Sequence, residues 1–241
     1  GIGQDLKNVD KNVAYLGQGG IGLPNRDYYF QENKQAIRDA YIVHIQKSFE
    51  LLGESAESAK KKAADIFNFE KELAGAMMTP AESRLPEKTY NKMSLDEAVK
   101  LMPKFDLEAY LAKIGCEHFD SLIVGQPEFI KKVNTMMDKT AFQSWNNYLS
   151  WCTINSYAGK LDDQWVKHNF NFYSGVLSGT SNMKPIEERC IEEITGSTLA
   201  ELLGKAFVEK TFSVNAKNRV NTMVDNLLAS FRMRINGLDW M

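Results

Sequence analysis

The sequence contains only three cysteines, Cys116, Cys152 and Cys190, in 241 residues. Three cysteines cannot form a disulfide framework, and at most one bridge can form within the chain. Their spacing does not fit a zinc-ribbon pattern, which excludes that class of small metal-stabilised domain. Cys152 is surrounded by apolar residues, so we interpret it as a buried free thiol.

The sequence also lacks a strong charge bias and long apolar runs. The net charge of −2 and the pI near 6.0 give no reason to propose nucleic acid as a partner. No apolar run approaches the roughly 18 residues of a membrane helix, so no membrane segment is predicted in this chain. No signal peptide is visible, and the chain begins at Gly1 rather than Met, which suggests a processed protein, a tag remnant or an internal fragment.

Three histidines restrict the available chemistry. His44 lies on the apolar side of its predicted helix and is interpreted as a packed or boundary residue. His118 lies among ligand-type residues between Cys116 and Asp120, but their spacing does not match a helical metal pair. His168 has no acidic or thiol neighbour within a helical turn. The chain contains neither H-E-x-x-H nor G-x-S-x-G, so we assign no catalytic and no metal residue, although a spatially assembled triad stays open.

A glycine run, GQGGIG at residues 17–22, matches the dinucleotide fingerprint G-x-G-x-x-G. That motif requires a strand before it and a helix opening within it. The apolar segment 13–16 can form the strand, but Pro24 pushes the residue before it out of the helical region. We therefore interpret the run as a loop that leads into a turn at Pro24 and Asn25.

Apolar residues spaced three and four positions apart predict a mostly α fold. A single helical domain over residues 1–241 is predicted, with at most one or two short strands, one of them at 122–124. Glu97 completes a capping box with Ser94, and Thr140 with Gln143 resembles a second one. The predicted helices cover residues 31–52, 55–78, 94–102, 106–115, a segment opening at Pro127, 140–157, 162–178, 186–194, 197–212 and 220–235.

Glu70 lies on the buried stripe of its predicted helix, between Ile66 and Leu73. An ionised carboxylate there is costly unless it is paired. A structural ion pair, a solvated position at the edge of the stripe and a functional carboxylate are the alternatives. Our hypothesis is an ion pair with a loop arginine, either Arg26 or Arg84. No substrate-binding residue is assigned.

Aromatic and basic residues give weaker indications. Trp145, Trp151 and Trp165 could line a ligand groove, but tryptophans at helical spacing are more often core residues. The lysine run at 60–62 is interpreted as a solvated helix face. Arg26 with Asp27 is interpreted as a pair that fixes the loop next to a turn.

Several segments, in order, resemble the neprilysin and endothelin-converting-enzyme family of zinc metalloendopeptidases, which includes bacterial oligopeptidases. Residues 22–29, GLPNRDYY, resemble its GLPxRDYY segment, and residues 90–94, YNKMS, resemble its YNKMT/S turn. Residues 203–212 resemble xGxLYVExxF, and residues 238–241 resemble LxWM. Residues 189–190 resemble the end of its PxWKRC segment, but the tryptophan and lysine are absent here. In animal members that cysteine is disulfide-bonded, whereas Cys190 is left unassigned.

The resemblance implies a function for the complete protein. In the family, zinc is held by H-E-x-x-H and a later glutamate, all beyond the LxWM element at which this chain stops. The chain is therefore expected to be a middle piece that forms most of the helical lid domain, with the catalytic domain of the same protein and peptide substrates as its partners. Such a lid encloses the site, excludes bulk water and admits short peptides. The chain alone is expected to be inactive and to bind no zinc, and the parent is expected to be secreted, periplasmic or on the cell surface.

Two other interpretations remain open. The first is a free-standing helical binding or scaffold module without enzymatic activity. It is distinguished from the peptidase by the gene beyond Met241, which would carry H-E-x-x-H in one case and a stop codon in the other. The second is an oxidoreductase that uses residues 17–22, which a nicotinamide titration of tryptophan fluorescence would test.

Overall fold

The computed structural model describes residues 1–116 and 119–240, and the chain divides into two compact units, Gly1–Ser181 and Asn182–Met241. Helices dominate both units, which confirms the predicted mostly α class. The prediction that residues 1–241 form a single helical domain stays a prediction. The first unit contains a small sheet and two hydrophobic cores, and the second contains helices alone among its described residues.

The sheet of the first unit has the strand order β1-β2-β4-β3. Its strands are β1 (Ile2–Asp5), β2 (Asn8–Leu16), β3 (Lys92–Ser94) and β4 (Ser121–Val124). Strand β2 pairs antiparallel with β1 and parallel with β4, where Ala14 is opposite Leu122. The predicted segments 13–16 and 122–124 lie in β2 and β4, but the expected maximum of two strands is too low.

The additional strands have no apolar signature. Strand β1 and the first five residues of β2 are mostly exposed, so their sequence lacks the alternation that burial of one face produces. Strand β3 is three residues long and forms through antiparallel pairing with β4. Strand β1 is therefore specified by its hairpin pairing with β2, and β3 by pairing with the more distant β4, rather than by an apolar pattern of their own.

The helices of the first unit agree closely with the sequence pattern. Ser55 caps α3 and a Ser94–Glu97 capping box opens α5, whereas α8 begins after Ala141 without a side-chain cap, so the predicted Thr140–Gln143 capping box is wrong. Residues Asn171–Val176 continue α9 as a π-helix. The helices are α1 (Asp27–Phe30), α2 (Gln35–Leu51), α3 (Ala56–Ala76), α4 (Pro86–Thr89), α5 (Leu95–Leu101), α6 (Leu107–Lys113), α7 (Pro127–Lys139), α8 (Phe142–Tyr157) and α9 (Asp163–Phe170).

Two hydrophobic cores meet at α3. One core packs Phe69 and Leu73 of α3 against the sheet and against helices α5 to α8. The other packs Ile66 and Ala63 of α3 against α1, α2, α8 and the π-helix. Because α3 contributes side chains to both cores, its sequence is apolar on two faces, and Glu70 lies between them.

The second unit contains α10 (Ile186–Thr195), α11 (Ala200–Thr211) and α12 (Val214–Asn236). The three helices occur where the sequence predicts them, but none of their residues is buried. The apolar spacing within 197–212 predicts burial of Leu199, Leu202, Leu203, Ala206 and Phe207. That prediction is wrong, because Leu203 is only partly buried and the other four are exposed. An amphipathic stripe identifies the apolar face of a helix but does not show that another element covers it.

Candidate functional site: the buried Glu70 carboxylate and its surroundings

Glu70 lies in the middle of α3 and is 1% exposed. Its Oε2 accepts a hydrogen bond of 2.7 Å from Tyr29 Oη of α1, and both of its oxygens lie 3.0 Å from Tyr41 Oη of α2. Trp151 Nε1 of α8 donates to Tyr41 Oη at 3.0 Å, and the Leu23 backbone N–H donates to Tyr29 Oη at 3.2 Å. Two chains of hydrogen bonds therefore end on one carboxylate. We call these residues the Glu70 cluster: Glu70, Tyr29, Tyr41 and Trp151.

The residues just before α1 shape the loop that reaches this cluster. The Oδ1 of Asn25 accepts from the Asp27 backbone N–H at 2.9 Å, an Asx turn that directs the chain into α1 and places Tyr29. A Cβ atom on Gly22 would lie 1.9 Å from Tyr41 Oη. Glycine is therefore required at position 22, because any side chain would displace the hydroxyl from Glu70.

Burial raises the pKa of Glu70 to about 7, against the lowering effect of the hydrogen bonds from Tyr29 and Tyr41. Burial and the negative charge of Glu70 raise the pKa of both tyrosines above the ordinary value. The tyrosines therefore remain protonated and keep donating. Neutral donors rather than a cation compensate the buried carboxylate.

The predicted arginine partner of Glu70 does not occupy this position. Among the described residues, Glu70 forms no ion pair with Arg26 or Arg84; the hydroxyls of Tyr29 and Tyr41 take their place. Arg84 is exposed at the end of a short 3-10 turn. Arg26 precedes α1, and its guanidinium lies over the Phe30 ring. The expected burial of Glu70 is found, whereas its partners come from two helices rather than from the loop arginines.

The glycine run forms a loop that is held in place by hydrogen bonds to distant side chains. Gly20 has φ +83°, and Tyr148 Oη donates to its carbonyl at 2.8 Å. The Gln18 backbone N–H donates to Gln126 Oε1 at 2.8 Å, which joins the loop to the segment after β4. The first helix after the run begins only at Asp27, so the strand–glycine–helix arrangement of a dinucleotide site is not formed.

Side chains of the YNKMS segment link neighbouring strands of the sheet by hydrogen bonds. Tyr90 Oη and Lys92 Nζ each lie 2.7 Å from a carboxylate oxygen of Asp5, and Asn91 Nδ2 donates to the Val124 carbonyl at 3.0 Å. Hydrogen bonds from Lys92 and Tyr90 hold the pKa of Asp5 well below its usual range. The motif therefore connects β1, β3 and β4, which is a structural role.

His44 is packed as the sequence predicts. Its ring stacks between His168 and Phe172, with centroids 4.3 and 4.8 Å away, and neither ring nitrogen has a hydrogen-bond partner in the described structure. Burial lowers its pKa to about 3. His168 Nε2 lies 2.9 Å from Ser48 Oγ. Glu117 and His118 lie outside the described residues, so the ligand-type run around them is not assessed.

Residues 1–116 and 119–240 contain no group of three His, Cys, Asp or Glu side chains arranged to hold a metal ion. The described residues therefore do not fit zinc. All three cysteines are free thiols, with Cys116 buried, Cys152 partly buried and Cys190 exposed. Trp151 and Trp165 are buried core residues, and Trp145 is partly buried against Phe69. None of the described helices is both long and apolar enough to cross a membrane.

Sequence reasoning missed the residues that bind Glu70. Tyr29 belongs to the GLPNRDYY segment and precedes Glu70 by 41 residues, and Tyr41 precedes it by 29. A tyrosine on the apolar stripe of α2 is an available signal, since buried tyrosine hydroxyls require a partner. A buried carboxylate on the neighbouring stripe is the partner that such a signal indicates.

Known peptidases resemble this chain over its whole length. Endothelin-converting enzyme 1 of Bos taurus is 25% identical over 246 residues, covering 100% of this chain and 32% of that protein. Neprilysin-3 of Drosophila melanogaster is 27% identical, again over 100% of this chain and 32% of its own length. The structure of the Mycobacterium tuberculosis zinc metalloprotease Zmp1 in complex with an inhibitor matches with a TM-score of 0.90 and 27% identity, over 100% of this chain and 36% of that one.

The fold and these relatives show that the chain corresponds to one part of the metallopeptidases of the neprilysin type. The family model described as "Peptidase family M13", for the N-terminal part of that family, matches residues 1–241, so the chain belongs to peptidase family M13. It spans about a third of the length of the relatives that it matches.

Proposed function

We propose that this chain forms most of the helical lid domain of a zinc-dependent endopeptidase that hydrolyses short peptides. The observation that supports the proposal most directly is the family match over residues 1–241 at about a third of the length of relatives named as peptidases. In this proposal the chain supplies walls and size selection, and no residue of it acts in bond cleavage.

Zinc is assigned to another segment of the parent protein. The resemblance implies that two histidines of H-E-x-x-H and a later glutamate bind it there. Zinc in such a site lowers the pKa of its bound water to about 7. The residues of this chain contribute shape and exclusion of water rather than ligands.

A wall that selects by size must hold its shape, and the first unit has the required construction. Helix α3 shares two cores, and the Glu70 cluster joins α1, α2, α3 and α8 through directional hydrogen bonds. The second unit supports the proposed partner, the catalytic domain of the same protein. Its helices expose large apolar side chains, among them Leu202, Phe207 and Phe231, and a second domain can cover such surface. A secreted, periplasmic or cell-surface location of the parent is part of the same proposal.

The first test uses the 241-residue chain. We expect no cleavage of a quenched fluorescent peptide and no stoichiometric zinc by elemental analysis. Peptide cleavage that persists after contaminating proteases are removed, and that copurifies with bound zinc, would contradict the assignment of catalysis to another segment.

The second test uses the full-length protein and concerns size selection. We expect the rate of cleavage to fall steeply from short peptides to the same cleavable sequence placed in an exposed loop of a folded protein. Equal kcat/KM for the two substrates would show that the enclosure does not select by size, without bearing on whether the protein is a zinc peptidase.

A further inference from the structure

A cavity of about 340 Å³ lies where the glycine loop faces the segment after α3. Its apolar walls include Ile21, Pro24, Met77 and Met78. Arg26 is the only charged residue among the described residues that line it. A volume of this size is at the lower end of small-molecule sites and holds a group of a few heavy atoms with an apolar body.

Arg26 lacks an acidic partner. Its Nε is buried and has no hydrogen-bond partner, and the guanidinium forms no ion pair within the described structure. The guanidinium lies over the Phe30 ring, whose centre is 5.8 Å from both Arg26 Cζ and Lys71 Nζ. Among the described residues no carboxylate forms an ion pair with either of these two cations, and the buried, unsatisfied Nε–H of Arg26 requires an explanation.

The nearby polar groups already have partners. Gln18 binds the Met78 backbone through both ends of its amide, Asn25 Oδ1 accepts from Asp27, and Ser83 Oγ donates to Pro80. Two acidic residues adjoin this wall in sequence. Asp27, which the sequence suggested as a loop-fixing partner of Arg26, forms no ion pair with it among the described residues, and Glu82 is paired with Lys88 at 2.9 Å. The loop is thus held open by its own hydrogen bonds, and the guanidinium remains available to a ligand.

We propose that this cavity binds a carboxylate joined to an apolar group. A guanidinium binds a carboxylate through two parallel hydrogen bonds, and the two terminal Nη groups of Arg26 form such a fork on the wall of this cavity. The methionine and proline walls receive the apolar group. A small organic acid and the free C-terminal residue of a peptide share this chemistry, and neither requires the zinc site.

The experiment is a titration of the ¹⁵N-labelled chain, followed by the Arg26 Nε–H and the Gly19 backbone amide in NMR spectra. The probes are 4-methylpentanoate and the tripeptide Ala-Ala-Leu, each compared with its carboxamide. We expect saturable shifts of both signals with the carboxylates and none with the carboxamides. Tighter binding of the tripeptide identifies a peptide terminus as the ligand, and tighter binding of 4-methylpentanoate identifies a small organic acid.

Two variants and a matched control decide the role of Arg26. Arg26→Gln is expected to weaken binding at least about tenfold, since a charge-assisted hydrogen bond is lost. Arg26→Lys, which keeps the charge without the fork, should lie between Arg26→Gln and the unmodified chain, and Arg84→Gln, an exposed arginine outside the cavity, should leave binding unchanged. Equal affinity for acids and amides, no saturable shift, or an equal loss in Arg84→Gln would overturn the proposal.

Discussion

The two units of this chain use similar helical sequences with opposite results. In residues 1–181, amphipathic helices bury their apolar stripes in two cores, and Trp151, Tyr41 and Ile45 are almost completely inaccessible. In residues 182–240, the helices α10, α11 and α12 have comparable stripes, yet none of their residues is buried. The helices differ in what covers them, not in how they are patterned.

This difference separates two sources of helix stability. Burial of apolar surface is the dominant favourable contribution to folding, and short helices in water gain little without it. The first unit has that contribution, whereas the second relies on propensity and caps such as Ser213, which accepts from the Ala216 backbone N–H. The proposed catalytic domain would supply the missing burial for α10 to α12.

The largest expected effect comes from a matched pair of tryptophans. Trp151 is 1% exposed and Trp240 is 77% exposed. Trp151→Ala should lower the free energy of unfolding by about 3–5 kcal/mol, because it leaves a cavity and removes a donor to Tyr41. Trp240→Ala should change it by less than about 0.5 kcal/mol. Urea unfolding followed by far-UV circular dichroism measures both, and similar losses in the two variants would remove the contrast between the units.

Acid sensitivity should also lie in the first unit, which contains every histidine of the chain. Burial lowers the pKa of His44 from 6.5 to about 3. Between these values the unfolded state binds more protons, so the free energy of unfolding falls as the pH drops. The contribution of Glu70 to the pH dependence of stability has the opposite sign. Because burial raises its pKa to about 7, the native state binds this proton more tightly than the unfolded state, and the free energy of unfolding rises as the pH falls below about 7.

His44→Phe isolates the histidine contribution from that of Glu70. Between about pH 7 and pH 4.5, the free energy of unfolding of the variant should rise by about 2–3 kcal/mol relative to that of the unmodified chain. Denaturant unfolding at the two pH values gives the difference. A variant whose unfolding free energy keeps the original pH dependence would show that the stacked ring is not the acid-sensitive group.

The smallest effect compares two equivalent helix caps. Ser55 caps the buried helix α3 and Ser213 caps the exposed helix α12. Each change to Ala should cost about 1 kcal/mol. For Ser55→Ala the loss should appear in global unfolding, and for Ser213→Ala it should appear as faster hydrogen exchange within α12 alone. A Ser213→Ala variant that lowers the unfolding free energy of residues 1–181 as much as Ser55→Ala does would contradict this separation.

The fold was predictable where one local pattern decides the structure. The stripes of α2, α3 and α12, the capping box at Ser94 and the short apolar strand at 122–124 follow from spacing and residue type alone. Strand β1 and the first five residues of β2 were not predictable, because they are mostly exposed and gain their hydrogen bonds from each other. The exposure of Leu202 and Phe207 was also not predictable, because an apolar stripe contains no information about what covers it.

The candidate site, like the fold, was predictable from the sequence only in part. The burial of Glu70 followed from its place between Ile66 and Leu73, but the identity of its partner did not. Charge pairing suggested Arg26 or Arg84, whereas the structure uses Tyr29 and Tyr41, two neutral donors on other helices. Gly22 belongs to a motif noticed for its loop, and only the packed structure shows that Tyr41 requires a residue without a side chain there.

The parallel pairing of β2 with β4 has a consequence for how this chain folds during synthesis. The loop after β2 bonds to the segment after β4 across 108 residues, from Gln18 to Gln126. The hairpin of β1 with β2 can form early, but its parallel neighbour leaves the ribosome only after α2 and α3 have been made. Such distant pairings slow folding, so one edge of β2 stays unpaired while the residues between β2 and β4 are synthesised.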